Sequence, residues 1–379
     1  MDLLSFRKNV FGLICLAITV GILAAGLWPF NFFPENKVTW LKNQNGVEFY
    51  GQSLVYSNIP FFQPSDLSTG STAIVPAFQH SNIPVNSISI DLCLQSTTEE
   101  SPHLGHIFSF FDEHGSEIFF IGQWRSYVLL GKGIHGKKNY REMGIRDVLK
   151  KGDKRFVTIT SGVDGTNIYV DGILMKSTPK FHLFSMNEKP LGRIVLGNSP
   201  KGNEYWTGNL LSLAIYDRAL TGEEISQHFH DSKKSGEGGP VSLYLFGEHS
   251  GTLVHDSVGD HHLVIPSRFA VLKKTILVPP WEDFRFTRSY LMDILTNILG
   301  FIPFGFFLPS YLWIRKPTSP IRLLLKPIII AGCISLTMEL IQVYLPTRSS
   351  QLMDVITNIA GTALGVILFY FCHQKKQCN

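Results

Sequence analysis

Met292-Asp293-Ile294-Leu295-Thr296-Asn297-Ile298-Leu299-Gly300 and Met353-Asp354-Val355-Ile356-Thr357-Asn358-Ile359-Ala360-Gly361 are near copies of one another. Each opens an apolar stretch long enough to cross a bilayer, whose hydrocarbon core takes about 20 residues of helix. Carboxylates and amides at such a place must find partners without water. At helical spacing Asp293, Asn297 and Gly300 share one face, as do Asp354, Asn358, Gly361 and Gly365. Gly300, Gly361 and Gly365 therefore read as helix-packing positions, where backbones approach closely.

Working outward, four windows qualify as spans: 10–28, 290–314, 323–345 and 352–372. The first could be read as a signal peptide, since Arg7 and Lys8 precede it. Its length, and Trp28-Pro29-Phe30 where a small-residue cleavage site belongs, favour a retained anchor. Basic residues set the expected orientation. Arg7 and Lys8 precede the first span, Arg315, Lys316, Arg322 and Lys326 lie between the second and third, and Lys375 and Lys376 follow the fourth. Both termini are expected in the cytoplasm and residues 31–289 outside it. The net charge of +4 then reports topology, with no nucleic-acid partner implied and the lipid bilayer as the first one.

The long outer stretch carries a different period. Ser87-Ile88-Ser89-Ile90-Asp91-Leu92-Cys93-Leu94 alternates as a strand does, and Arg155 to Thr160 and Asn167 to Val170 are separated by Asp-Gly turns. The expected fold is thus mixed, a four-helix α transmembrane bundle with an inserted all-β extracytoplasmic jelly-roll sandwich. Expected segments are 1–30 for the cytoplasmic N-terminus and first helix, 31–46 a linker, 47–232 the sandwich, 233–289 a linker and β-rich juxtamembrane segment, 290–372 the three-helix membrane domain and 373–379 the tail. Residues 241–270 fit either a strand completing the sandwich or a separate small β unit. Only Cys93 of the five cysteines falls in the outer stretch, so no disulfide forms within it.

Candidate chemistry outside the bilayer is sparse. Asp164 and Asp171 in the Asp-Gly turns read as turn residues, with calcium the other use of such side chains and no other cofactor indicated. His103, His106, His114, His228, His230, His249, His255, His261 and His262 are numerous, but no carboxylate-supported ligand spacing accompanies them. Trp124, Tyr127, Tyr205 and Trp206 suit either sugar stacking or a core. No residue reads as catalytic there.

In the membrane part, Gly332, Ser335, Glu339 and Gln342 form a stripe on the third helix, and Arg348 follows in a short outer turn. Asp293, Asn297, Glu339, Gln342, Arg348, Asp354 and Asn358 all fall toward the outer leaflet and compose one candidate polar cluster. With Phe301-Ile302-Pro303-Phe304-Gly305 and Trp28-Pro29-Phe30-Asn31, these residues resemble the VanZ-like family. The run from Phe156 to Leu174, Gly192 to Gly197, Tyr205 to Leu210 and Ile215-Tyr216-Asp217-Arg218-Ala219-Leu220 to Ile225 resembles laminin G-like modules of the concanavalin A-like fold. In such modules a short helix follows the Tyr-Asp-Arg-Ala-Leu turn, with Thr221 as its N-cap here. The resemblance implies architecture more than activity, with one named VanZ-like member associated with low-level teicoplanin resistance. It leaves three readings: a lectin-like protein binding an envelope glycan, a membrane enzyme acting on a lipid-linked envelope precursor, and an anchor for the sandwich.

Overall fold

The computed structural model describes residues 3–61, 87–134, 137–184, 191–230, 239–284, 286–315, 319–346 and 348–377. The chain divides into two compact units, one of Pro34–Lys273 and one of Met1–Phe33 with Lys274–Asn379.

The first unit is a sandwich of two antiparallel sheets. One runs β1 (Val38–Trp40), β2 (Val47–Phe49), β13 (Gly208–Tyr216), β4 (Ile88–Ser96), β9 (Lys154–Gly162), β10 (Gly165–Val170) and β11 (Ile173–Thr178), with β14 (Ser242–Tyr244) also paired to β13. The other runs β15 (Leu253–Val254), β16 (Leu263–Val264), β3 (Val55–Ser57), β12 (Arg193–Leu196), β5 (Ser101–Phe111), β6 (Glu117–Arg125), β7 (Tyr127–Ile134) and β8 (Lys137–Ile145). The alternation of β4 sends Ile88, Ile90, Leu92 and Leu94 into one core with Phe108, Phe110, Phe119, Ile159, Leu213 and Ile215. Both hairpins close on two-residue loops: Val163-Asp164 at the first, with Gly165 (φ 98°) already paired, and Asp171-Gly172 at the second, where Asp171 (φ 52°) and Gly172 (φ 80°) are both left-handed, as a type I′ turn needs.

The sheets extend past the expected 47–232. β1 comes from the presumed linker, and β14, β15 and β16 come from the presumed juxtamembrane segment, so residues 242–264 complete both sheets. Strands of two or three residues carry too little alternation to announce themselves, and the join of β16 to β3 spans about 200 residues of sequence. The linker-like run 233–240 lies mostly outside the described residues.

Among its described residues the second unit holds four helices long and apolar enough to cross a membrane: α1 (Leu3–Leu27), α4 (Arg288–Arg315), α5 (Pro320–Gln342) and α6 (Leu352–Gln377). Two short helices, α2 (Gly222–His230) in the sandwich and α3 (Pro280–Asp283) ahead of α4, complete the order. Phe301 and Phe304 of α4 meet Ala331 and Met338 of α5 and Ile18, Ile22 and Leu23 of α1. Leu13, Leu16, Leu299, Ile329, Ile367 and Leu368 stay exposed, which suits a lipid-facing surface.

Candidate functional site

The α4–α6 seam is set by glycine. A side chain on Gly361 would overlap the Ile298 carbonyl, one on Gly365 the Ile302 carbonyl, and one on Gly305 the Thr362 carbonyl. Gly300 takes no part, because open space surrounds its Cα. At about 100° per residue it lies roughly 200° round the helix from Ile298. Gly305, read from the sequence only as part of a motif, holds the place expected of Gly300. The two near-copies are therefore used differently: Asp354, Asn358 and Gly361 turn toward neighbouring helices, whereas Asp293 and Gly300 are exposed.

Most of the remaining candidate residues tie together one end of the bundle, where α1 and α5 finish and α4 and α6 begin. Asn297 donates to Asp354 Oδ1 (2.9 Å) across the seam, and buried Asn358 donates to Ser335 Oγ (2.8 Å) on α5. Glu339 is 2% exposed, and its Oε2 accepts the Gln351 N–H (2.7 Å) just before α6, where a carboxylate also meets the positive end of the helix dipole. Gln342 donates to Gly26 O (2.8 Å) at the end of α1, and Arg348 donates from Nη2 (3.0 Å) and Nε (3.2 Å) to Trp28 O. Arg348 thus engages a backbone carbonyl with its guanidinium. Leu277 and Val278 join the same end by hydrogen bonds to Ser350. Asp293 stands on the exposed face of α4, away from these contacts.

In the sandwich, the outer face of the first sheet carries a cleft of about 590 Å³, lined among others by Asp91, Lys154, Phe156, Tyr216, His228 and Phe229. Asp91 accepts from Thr158 Oγ1 (2.6 Å) and lies 3.1 Å from His228 Nδ1, and the His228 ring stacks on Tyr216 (5.4 Å, 17°). Burial, reinforced by Asp91, raises the Tyr216 phenol well above its ordinary range, so it stays a neutral donor. The helix that delivers His228 and Phe229 is fixed by a reciprocal capping box. Glu224 N donates to Thr221 Oγ1 (3.3 Å), and Thr221 N donates to Glu224 Oε2 (2.8 Å). Sequence reasoning found that cap and missed the cleft. Asp91 looked like the polar beat of an alternating strand, and its meeting with residue 228 depends on the fold.

Of the aromatic candidates, Trp206 is core, donating Nε1–H to Gln123 Oε1 (2.8 Å), while Trp124 is partly exposed beside Tyr127 and Arg125. Asp171 accepts from the Phe156 N–H at Oδ1 (2.9 Å) and from Arg155 Nη1 at Oδ2 (2.9 Å). The expected lack of carboxylate support fails at three histidines: besides His228 with Asp91, His255 Nδ1 lies 3.2 Å from Glu248 Oε1, and His106 stands between two glutamates. His106, Glu117 and Glu204 bring ligand-type atoms within 4.8 Å of one another, the one such group among the described residues.

Solved structures similar to this chain include a heptameric SAP-like pentraxin from Limulus polyphemus (14% identity, 62% of this chain and 94% of that one, TM-score 0.37). Others are the CBM40 of a Ruminococcus gnavus IT-sialidase bound to α2,3-sialyllactose (12%, 37% and 81%, TM-score 0.31) and a Trypanosoma rangeli sialidase (13%, 51% and 28%, TM-score 0.36). No curated protein matches the chain. Residues 98–226 match the model of the concanavalin A-like lectin/glucanases superfamily, and residues 242–373 match that of VanZ/LLP1, beginning at β14 of the sandwich. The chain joins a VanZ-like membrane domain to a concanavalin A-like, lectin-type sandwich.

Proposed function

We propose that this protein is an envelope receptor: the sandwich is displayed outside the cytoplasm and binds a glycan of the cell envelope in the cleft of its first sheet. The observation that carries the reading is the cleft itself. Sugars are held by directional hydrogen bonds to hydroxyls together with an apolar wall, and here Asp91, Lys154 and neutral Tyr216 stand beside Phe156 and Phe229. The basic clusters support the orientation, with both termini cytoplasmic. The polar contacts among the helix ends then serve to hold the bundle together, and a link to glycopeptide susceptibility would follow from occupancy of the cleft by wall material.

A screen of glycans and cell-wall fragments against the full-length protein in nanodiscs tests this. Wild type should retain a defined glycan class, and Asp91→Ala and Phe229→Ala should weaken it at least about tenfold, the loss of a buried hydrogen-bonding group or stacking surface being worth about 1–3 kcal/mol. Equal binding by both variants would remove the cleft from the function.

A second reading, an enzyme acting on a lipid-linked precursor, rests on one observation, the burial of an ionisable Glu339 in a membrane helix. Glu339→Gln separates the two. It should leave glycan binding intact and abolish precursor turnover only if the carboxylate does chemistry.

A further inference from the structure

We infer that His106, Glu117 and Glu204 form a divalent transition-metal site on the second sheet of the sandwich, with His106 Nε2 and Glu204 as ligands and Glu117 as the carboxylate that positions the imidazole. The site is separate from the cleft, which lines the first sheet, and stands independently of the glycan reading.

His106 is 1% exposed and lies flat on Phe120, with centroids 3.9 Å apart and planes within 12°, so it has one orientation. On the Nδ1 side are two oxygens, Glu117 Oε1 at 2.9 Å and Ser109 Oγ at 3.0 Å. Ser109 directs its own proton to Asn198 O (3.3 Å), so both oxygens present lone pairs to Nδ1. Nδ1 therefore carries the hydrogen, and in the neutral ring Nε2 carries the lone pair. Carboxylate on one nitrogen and a bare lone pair on the other is the arrangement of metal-ligating histidines.

The Nε2 side then poses a problem of charge. Nε2 is buried with no hydrogen-bond partner in line, yet Glu204 Oε2 stands 3.1 Å away. Two lone-pair atoms meet at that distance only with something positive between them. A proton would draw the oxygen onto the N–H axis, and the contact is off that axis. Two ligands of one tetrahedral ion, each bonded at about 2.0–2.1 Å, lie about 3.3 Å apart, close to the distance found. The imidazole nitrogen selects against calcium and magnesium, which take oxygen ligands, and for zinc, nickel or cobalt. Glu204 is about one-third exposed, so the remaining coordination positions face solvent and admit water or a donor from a bound molecule.

The test is metal binding by the full-length protein in detergent after chelator treatment, with zinc chloride, cobalt chloride and calcium chloride as probes. One equivalent of zinc should bind per chain and raise the melting temperature. Cobalt should give the visible bands of a low-symmetry site with nitrogen ligation, and calcium should do neither. Glu204→Gln, on a partly exposed loop side chain, should leave the chelated protein folded and weaken zinc at least tenfold, while Glu117→Gln should weaken it about 10–100-fold and change the cobalt spectrum. The inference is overturned if no stoichiometric zinc binds, or if Glu204→Gln and Glu117→Gln bind zinc as wild type does. It is equally overturned if protonation of His106 with no metal accounts for every change seen in the variants.

Discussion

At the scale of single residues, two glycines with the same sequence context make opposite demands. A side chain on Gly361 would enter the Ile298 carbonyl, while Gly300 has nothing around it. Gly361→Ala should therefore force α4 and α6 apart and lower the melting temperature of the protein in detergent by several degrees, a change on the order of 1–3 kcal/mol. Gly300→Ala should leave it unchanged or slightly raised, since alanine favours helix by about 1 kcal/mol over glycine. A loss at Gly300 equal to that at Gly361 would overturn the seam described above. In sequence the two are alike. In a helix that is apolar all round, the spacing says which residues share a face but not which face meets a partner, and only the crossing with α6 breaks the tie. The same ambiguity left Asp293 and Asp354 indistinguishable, although one is exposed and the other receives Asn297.

At the scale of elements, legibility followed length and local chemistry. The Asp171-Gly172 hairpin and the Thr221 cap were readable because a turn and a cap are specified by residues a few positions apart. The two- and three-residue strands, and the pairing of Asp91 with His228, were not, because sheet order is set by contacts far apart in sequence. The α2 cap yields a pH prediction. The hydrogen bond from Arg218, opposed in part by burial and helped by Thr221, holds the Glu224 carboxyl down to about 2, below its unfolded range of about 4.3. A depressed carboxyl stabilises the fold while it is ionised, so this contribution is fully present above about pH 5. It is lost as pH falls toward 2. Glu224→Gln should flatten the acid dependence of unfolding in that window, and Thr221→Ala should destabilise by about 1 kcal/mol at neutral pH. Identical acid profiles for Glu224→Gln and wild type would show that the carboxylate gains nothing from Arg218.

At the scale of the whole molecule, the four apolar helices and the three basic clusters predict sidedness: external protease should cut an epitope placed at Lys201, and terminal tags should stay protected in intact cells. Protected Lys201 with exposed tags would reverse the orientation and take the receptor reading with it. The sandwich begins and ends at one place. Phe269 N–H donates to Pro34 O (2.9 Å), Asn36 N–H donates to Ser267 O (3.3 Å), and Glu35 bridges Arg268, so its first and last segments are neighbours. To the membrane helices, an insertion of this kind is a long loop whose ends its own folding has already closed. The loop-closure entropy, which for a flexible chain grows as the logarithm of its length, is carried by the sandwich and not by the bundle. Such a domain can be enlarged, exchanged or lost while the bond between the first and second spans stays short. Replacing residues 34–273 with a few glycines and serines should therefore leave a four-helix protein that inserts and melts much as the intact one does.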